Sequence, residues 1–499
     1  SRKIGGPMAS QLLATKSIAE LHEQESTGNQ LRRALTATQL TLLGIGGVIG
    51  TGIFVLTGVA AANNAGPALP LSFIVAGIGC TFAGLCYAEF AAMIPVSGSA
   101  YSYSYATLGE GIAWFIGWNL ILEYLFAVAT VSVGWSGYVV SLLDQWHLHI
   151  PDALSHAPLD QGADALHLRF TGAIINLPAI LIVAAIATIC YIGIKQSAVF
   201  NSVIVTIKVT VIVLFILFGV SYINTDNWHP FVPPNTGTWF VYGPSGILGA
   251  AGVIFFAYIG FDAISTAAQE SKNPQRDMPI GILASLIICT ILYVIVSAVL
   301  TGMVSYKELN VSAPVALALD KYPGLHWLGG WVKLGAIFGM TSVMLVMTIA
   351  QARIFFAMAR DGLLPTFFGR VHPRFRTPST GTVVTGVSAA VIGGLFPVGL
   401  LGHLVSIGTL AAFVTVCIGV LVLRQTRPEL PRPFRAPWPW FTCIAGALVC
   451  GLMMVSLGPA TWVRLVVWTV IGALVYVLYG YQHSCLREGS AAASAARPT

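Results

Sequence analysis

The chain has 499 residues, of which 56% are hydrophobic and only 9% are charged. A soluble domain carries about a quarter charged residues, so this chain has too little polar surface to face water on all sides. Its net charge of +6 does not indicate nucleic-acid binding, because the basic residues lie mainly in short connections between apolar segments. The composition therefore predicts an all-α membrane protein.

Twelve apolar segments are long enough to cross the bilayer, which takes about 20 residues of helix. We number them as spans 1 to 12 in chain order. They are Ala37–Ala62, Leu69–Ile94, Gly111–Leu143, Ile174–Ile194, Ala198–Ile223, Gly243–Gln269, Ile280–Met303, Trp331–Arg360, Thr380–Pro397, His403–Leu423, Trp438–Leu457 and Thr461–Tyr481.

Lys and Arg are distributed unevenly over the connections between these spans. The connection between spans 8 and 9 holds Arg370, Arg374 and Arg376, whereas the long connection between spans 3 and 4 holds only Arg169. Because basic residues accumulate on the cytoplasmic side, both ends of the chain are predicted to lie in the cytoplasm. We expect a multi-pass protein of the cell (inner) membrane.

Spans 1 and 6 depart from the pattern of a plain apolar helix. Span 1 contains five glycines in the nine residues from Gly44 to Gly52, and span 6 contains Gly260 and Asp262 in its apolar run. Each glycine costs a helix about 1 kcal/mol relative to alanine, so both spans are predicted to be discontinuous. Tight helix packing through Gly46-x-x-x-Gly50 is an alternative, but it does not explain the acid in span 6.

Five spans separate the starts of the two interrupted helices, which indicates two inverted repeats with a binding site near the membrane midplane. The predicted organisation is an N-terminal cytoplasmic segment, two five-helix repeats, two additional helices and a C-terminal cytoplasmic tail. The corresponding residues are 1–36, 37–223, 243–423, 438–481 and 482–499. The residues before Met8 look like an addition for expression rather than native sequence.

A broken helix exposes backbone groups that are tolerated in a membrane only where they line a cavity or meet a ligand. The free N–H groups at the start of a half-helix suit a carboxylate, and free carbonyls suit an ammonium. One such break in span 1 and one in span 6 would together bind the carboxylate and ammonium groups that all α-amino acids share.

Three motifs carry a resemblance to a known family. They are G-I-G-G-V-I-G-T-G-I-F from Gly44, F-F-A-Y-I-G-F-D-A-I-S-T-A-A-Q-E-S-K-N-P-Q-R-D-M-P-I-G-I from Phe255 and R-I-F-F-A-M-A-R-D-G-L-L-P from Arg353. The chain resembles the amino acid–polyamine–organocation (APC) superfamily, and within it the cationic amino acid transporter family with its bacterial members. The resemblance covers about Leu31 to Tyr481 and implies a LeuT-type inverted five-plus-five fold.

The resemblance also implies roles at matching positions. The residues implied to hold the substrate carboxylate are Val48, Gly50, Thr51 and Gly52. The carbonyls implied to take the amine belong to Phe255, Phe256 and Ile259, and the rings of Phe256 and Tyr258 are candidates to close over the substrate. Each ring has packing against lipid or core as an equal alternative.

Lys208 lies in the middle of span 5, where a lysine is costly and is by default a hypothesis for a functional site. Burial disfavours its charged form, so it could cycle between charged and neutral states. In proton-coupled members of the superfamily a lysine of span 5 occupies the position of a bound sodium ion, and Lys208 matches it. The alternative is a lysine that reaches the membrane surface from a shifted helix.

Three further polar residues stand in apolar surroundings. Glu123 of span 3 is expected to meet a cationic side chain, to relay protons or simply to anchor helices. Asp262 is expected to pair with Lys208 or tune it. Tyr293 of span 7 is expected to hydrogen-bond that lysine, to gate the inner side, or only to pack in the interior.

Met347 of span 8 is expected to limit the size of the substrate. The resemblance places it in the pocket, at a position where animal cationic transporters have a small hydroxyl residue. Methionine fills space that a long guanidinium would need, so small or neutral amino acids such as alanine are favoured over cationic ones. The favoured function is proton-coupled symport by alternating access.

Other functions remain open from the sequence. They are proton-independent exchange of amino acids or polyamines, and amino acid sensing without transport. An enzyme is not expected, since no nucleophile–base cluster or metal-ligand spacing is visible. We expect no cofactor other than the coupling proton and no metal. The expected partners are the amino acid, the lipid bilayer and, as an open question, a small accessory membrane subunit or a sterol-like lipid.

Overall fold

The structure is a computed structural model that describes residues 11–16, 35–93, 99–161, 168–193, 198–266 and 271–487. The segment before Met8 and the end of the C-terminal tail lie outside these residues. Within them, eight helices are long and apolar enough to cross a membrane, and four shorter apolar helices accompany them. One of the long runs joins the second half of span 1 to span 2, so these helices account for all twelve predicted spans.

The second half of span 1 contains two short π-helical stretches, Gly52–Leu56 directly after the break and Ala61–Ala65 at its end. The segments of the first five spans are Ala37–Val48; Gly52–Leu56, Thr57–Ala60 and Ala61–Ala65; Leu69–Met93; Glu110–Gln145; Leu177–Ile192; and Ala198–Gly219 with Val220–Tyr222. Span 1 starts at a capping box, because Thr36 accepts from the amide of Gln39 and the Gln39 side chain accepts from the amide of Thr36.

The second five spans follow the same order. Their segments are Gly243–Ile254, Phe255–Tyr258 and Ala263–Thr266; Pro274–Met303; His326–Arg360; Ser379–Leu395; and Val398–Thr426. Spans 11 and 12 are Pro439–Ser456 and Pro459–Val475, the latter continued by Tyr476–Gly480 and Tyr481–His483. Span 7 begins six residues before its apolar run, because Pro274 sits at a favoured first position of the helix.

The connections contain short elements. These are the helices Ser99–Thr107, Asp152–Ser155 and Pro314–Asp320, the single turns Gly66–Ala68, Thr225–Trp228, Tyr306–Glu308, Pro323–Leu325 and Thr366–Gly369, and the strands Leu159–Gln161 and Leu168–Phe170. The two strands form an antiparallel hairpin between spans 3 and 4, with Asp160 opposite Arg169.

Helices at equivalent positions of the two halves pack against each other. Span 2 packs along span 7, span 3 along span 8 and span 4 along span 9, and the second half of span 1 contacts span 6. The inverted arrangement of two five-helix units predicted from the sequence is consistent with this pairing. It brings the breaks of spans 1 and 6 together in the interior.

Glycine permits the contact between the two breaks. A methyl group on Gly52 would lie 2.2 Å from Cα of Ala257, and one on Gly47 would lie 3.2 Å from the carbonyl oxygen of Gly260. Close packing, the alternative reading of these glycines, is therefore present. It occurs together with the chain breaks rather than in place of them.

Candidate functional site

The break in span 1 leaves backbone donors without partners. The first half-helix ends at Val48, Ile49 is extended with ψ 102°, and the helix resumes at Gly52. Among the described residues, the amides of Gly50, Thr51 and Gly52 donate no hydrogen bond, and the fully buried hydroxyl of Thr51 has no partner. Adjacent free N–H groups at a helix start form a site for an anion such as a carboxylate.

The break in span 6 leaves backbone acceptors. A short turn over Phe255–Tyr258 is followed by extended Ile259, with ψ 136°, and by Gly260 at φ +116°. The Phe256 carbonyl accepts from the Ile259 amide at 3.2 Å, whereas no described residue donates to the Ile259 carbonyl. This end of the break suits an ammonium group.

Two phenylalanines of this turn are held by their surroundings. The ring of Phe255 is fully buried and meets the ring of Phe413 in span 10, with centroids 5.3 Å apart. Phe256 is also buried, at 6% exposure. Phe255 therefore offers its backbone to the break, while its ring serves packing.

Tyr293 joins the two breaks. Its hydroxyl lies 3.0 Å from the carbonyl oxygen of Val48 and 2.9 Å from that of Ala257, so its single proton is shared between spans 1 and 6. The sequence predicted a hydrogen bond to Lys208, a gating role or interior packing. The buried hydroxyl bridges the two chain breaks rather than bonding Lys208, and the gating role stays a prediction.

Lys208 reaches the span 1 break from span 5. Its fully buried Nζ donates to the carbonyl oxygens of Gly46 at 2.6 Å and Ile49 at 3.0 Å. Its aliphatic stem packs on Gly339, where a methyl group would lie 3.3 Å from Cε of the lysine. The ammonium thus ends at the position where the helix of span 1 is interrupted.

Two predicted residues have different partners from those expected. Asp262 accepts a 2.5 Å hydrogen bond from Tyr124 of span 3, whereas Lys208 bonds the span 1 carbonyls, so the carboxylate is not among the lysine's contacts. The hydroxyl of Tyr258 donates to the carbonyl of Phe73 in span 2. That bond directs the Tyr258 ring into the helix bundle, which does not favour its closing over a ligand.

Glu123 and Met347 lie on facing helices beside the break in span 6. Glu123 is 1% exposed and lies beside Thr409 of span 10, in electrostatic contact with Asp262. Cε of Met347 lies 3.2 Å from the position of a methyl group on Gly260. The methionine tip therefore occupies space directly against the break.

Sequence reasoning missed two polar residues next to Met347. Thr348 and Gln351 are buried, and their side-chain polar atoms have no hydrogen-bond partner among the described residues. The signal was available, since both interrupt an otherwise apolar stretch of span 8. The spacing of three residues also places them on one face of the helix.

Paired half-helices with free donors on one side and free acceptors on the other define a membrane transporter with a central binding site. The family model described as "Amino acid permease" matches residues 35–477. The chain belongs to the amino acid permease family, within the APC superfamily, and its relatives are transporters rather than enzymes.

Two relatives from Bacillus subtilis match over nearly their whole length, and a plant relative matches over two thirds of its length. The chain is 49% identical over 476 residues to a protein of Bacillus subtilis named "Methylthioribose transporter", covering 95% of this chain and 99% of the relative. It is 47% identical over 482 residues to "Branched-chain amino acid permease BcaP" of the same bacterium, covering 96% and 100%. It is 38% identical to "Cationic amino acid transporter 3, mitochondrial" of Arabidopsis thaliana, covering 83% and 66%.

Proposed function

We propose that this amino acid transporter is a proton-coupled symporter of small or neutral L-amino acids such as alanine, working by alternating access. The proposal is carried by the contact of Lys208 with the carbonyls of Gly46 and Ile49. In a continuous helix these two carbonyls would accept from amides four residues later, at Gly50 and Ile53. The lysine Nζ takes the place of those missing donors.

Protonation of Lys208 is thereby tied to the geometry of the carboxylate site. A charged ammonium donates stronger hydrogen bonds than a neutral amine, so it stabilises the interrupted form of span 1. Loss of the proton weakens that support for the free amides of Gly50, Thr51 and Gly52. Because linkage is reciprocal, an amino acid bound at these amides favours the protonated lysine. Proton and substrate would then bind together and leave together.

The route for release follows from the placement of the breaks. Spans 1 and 6 contact each other through Gly52 and Ala257, so they are expected to move as one body with spans 2 and 7 against the remaining helices. In the proposed topology both chain ends lie in the cytoplasm, as the distribution of Arg and Lys predicts. Glu123 and Asp262 would form a second group of proton-carrying side chains near the path.

Substrate size is limited by Met347 at the break. Its contact with the Gly260 position leaves little room for a guanidinium, which supports small neutral substrates. Two relatives are named for methylthioribose and for branched-chain amino acids, which adds these compounds to the candidate substrates. Valine, methylthioribose and arginine are therefore the competitors to test against alanine.

The test is uptake of labelled alanine into proteoliposomes with and without an inward proton gradient, for the wild type and Lys208→Ala. We expect gradient-driven accumulation by the wild type and its loss in Lys208→Ala, with alanine exchange at equal pH retained. Lys307→Ala is the matched control, because Lys307 lies in an outer connection against Tyr306. Wild-type uptake that ignores the gradient and requires internal amino acid would establish an exchanger instead.

A protein that binds alanine without moving it would point to a sensor. That outcome is recognised by ligand-dependent thermal stabilisation of the wild type combined with no uptake under any gradient.

A further inference from the structure

Three buried side chains beside the central site carry polar atoms that bond to nothing. They are Glu123, Thr348 and Gln351, with exposures of 1%, 1% and 0%. The atoms without a hydrogen-bond partner among the described residues are Oε1 of Glu123, Oγ1 of Thr348 and both Oε1 and Nε2 of Gln351. Buried polar atoms in native proteins are nearly always bonded, so four orphaned atoms on spans 3 and 8 require a reason.

Thr348, like Thr51, lacks the bond to its own helix that most described helical threonines form. Thr341, seven residues earlier in span 8, donates to the carbonyl of Ile337 at 2.8 Å. Thr385 of span 9 donates to the carbonyl of Gly381 at 2.7 Å. This internal bond is open to any helical threonine. The Thr348 hydroxyl therefore keeps its hydrogen-bonding capacity open to a partner outside its own helix.

The position of the two span 8 residues is fixed by Met347. The tip of Met347 touches the break at Gly260, and Gln351 follows four residues later on the same face. At 1.5 Å per residue, Gln351 lies about 6 Å further toward the Arg360 end of span 8. Sequence places that end in the cytoplasm. Span 8 also packs on Ala263–Thr266, the half-helix that follows the break.

Glu123 lies at the same depth on the facing helix. The indole Nε1 of Trp135 donates to Oγ1 of Thr341 at 3.1 Å, and a methyl group on Gly117 would lie 2.9 Å from Sδ of Met358. These contacts set the antiparallel register of spans 3 and 8. Counting along both helices places Glu123 opposite Arg353 from the first contact and opposite Ala352 from the second, within two residues of Gln351.

We propose that Glu123, Thr348 and Gln351 form a second, inner binding station that holds the head group of the amino acid after it leaves the central site. This inference rests on the proposed transport function. The ligand is the zwitterionic head group: the Glu123 carboxylate accepts from the ammonium, while the Gln351 amide and the Thr348 hydroxyl donate to the carboxylate. The station reproduces, with side chains, the pairing that the two breaks provide with backbone groups.

While the station is empty, its unbonded polar atoms lower the stability of the folded protein. This loss of stability allows a direct test. Replacing an orphaned polar group with an apolar group of the same shape removes a desolvation penalty. Gln351→Met and Thr348→Val should therefore unfold at the same temperature as the wild type or higher. If the station assists release, the same variants should transport more slowly despite their greater stability.

The experiment measures exchange of labelled L-alanine across proteoliposome membranes at equal pH on both sides, together with thermal unfolding in detergent. Equal pH removes any dependence on proton coupling. We expect the maximal exchange rate of Gln351→Met to fall about tenfold and that of Thr348→Val about threefold, with the outer half-saturation concentration changed less than twofold. Thr385→Val, which removes a bonded buried hydroxyl, should exchange alanine at the wild-type rate.

Wild-type exchange rates in both variants, with unfolding temperatures equal or higher, would overturn the station and leave the orphaned atoms without a role in transport. A rise in half-saturation concentration in step with the loss of rate would also overturn it, because that result assigns the residues to the central site. Absence of alanine exchange in the wild type would overturn the proposed function as well, so the two failures are distinguishable.

Discussion

Two buried polar regions of this transporter differ in how completely their groups are bonded. At the N-terminal end of span 3, the fully buried carboxylate of Glu110 accepts from Gln11 at 3.0 Å, Tyr105 at 2.9 Å, Tyr476 at 2.7 Å and the hydroxyl of Ser484. At the break in span 1, by contrast, the Thr51 hydroxyl and the amides beside it have no described partner.

A second acid, directly after the end of span 8, follows the same rule as Glu110. Asp361 accepts from Lys16 at 2.6 Å and from Tyr101 at 2.7 Å, with both members of the ion pair buried. Full pairing is what a structural cluster needs, because a buried charge left alone is strongly destabilising. Incomplete pairing is what a binding site needs, since its bonds are completed by the ligand. Under the proposed function, this contrast separates groups that hold the fold from groups that bind the substrate.

The largest effect on stability is expected at Glu110. Glu110→Ala removes the shared acceptor of four side chains and should lower the free energy of unfolding by about 3–5 kcal/mol. Glu123→Ala removes an acid of equal burial with fewer partners and should cost far less. Thermal unfolding of both variants in the same detergent checks the difference, and equal losses would remove the distinction between the two regions.

The next effect concerns transport and lies at Gly260. Its φ of +116° is unfavourable for alanine, and the added methyl group would lie 2.7 Å from the carbonyl carbon of Gly47. Gly260→Ala should reduce alanine uptake more than a hundredfold. Gly451→Ala is the control, because a methyl group there has no neighbour within 4 Å. Normal uptake by Gly260→Ala would mean that the geometry of the span 6 break is dispensable.

A smaller loss is expected from Tyr293→Phe. The change deprives the Val48 and Ala257 carbonyls of their shared donor, and loss of one buried hydrogen bond of about 1.4 kcal/mol corresponds to a tenfold change. Alanine uptake should fall about tenfold. Tyr258→Phe, which removes a hydroxyl bonded to Phe73 of span 2, should reduce uptake less. The reverse order would show that the bridge between the breaks does not support transport.

The smallest effect on alanine is expected at Met347. Met347→Ser shortens the side chain against the span 6 break, so arginine uptake should rise while alanine uptake changes less than about threefold. Met344→Ser, one turn away on the same helix, serves as the control. Competition between labelled alanine and unlabelled arginine measures the ratio of arginine to alanine uptake. An unchanged ratio would show that Met347 does not limit substrate size.

The sequence was sufficient for the features with a local cause. Apolar runs of about 20 residues marked the twelve spans. A glycine cluster marked the break in span 1, Gly260 with Asp262 marked that in span 6, and an unexpected charge marked Lys208. Their partners were not predictable in the same way. Lys208 bonds residues 162 and 159 positions away, and Gln11 bonds the carbonyl of Tyr481, 470 positions away. No periodicity encodes such pairs.

Orientation of side chains was the second limit. Tyr258 and Phe256 are two residues apart in the same motif, so sequence gave both the same candidate role. The turn over Phe255–Tyr258 rotates successive side chains, and the Tyr258 hydroxyl finds the Phe73 carbonyl. Thr348 was overlooked for a related reason, because only the structure reveals that its hydroxyl leaves its own helix unbonded.

The most direct test of the central claim is thermal unfolding of the wild type and of Gly52→Ala with increasing L-alanine. Ligand that binds only the folded protein raises its stability with concentration. If the free amides of span 1 hold the amino acid, alanine should raise the unfolding temperature of the wild type and leave that of Gly52→Ala unchanged. An equal rise in both proteins would contradict a binding site built from the two chain breaks.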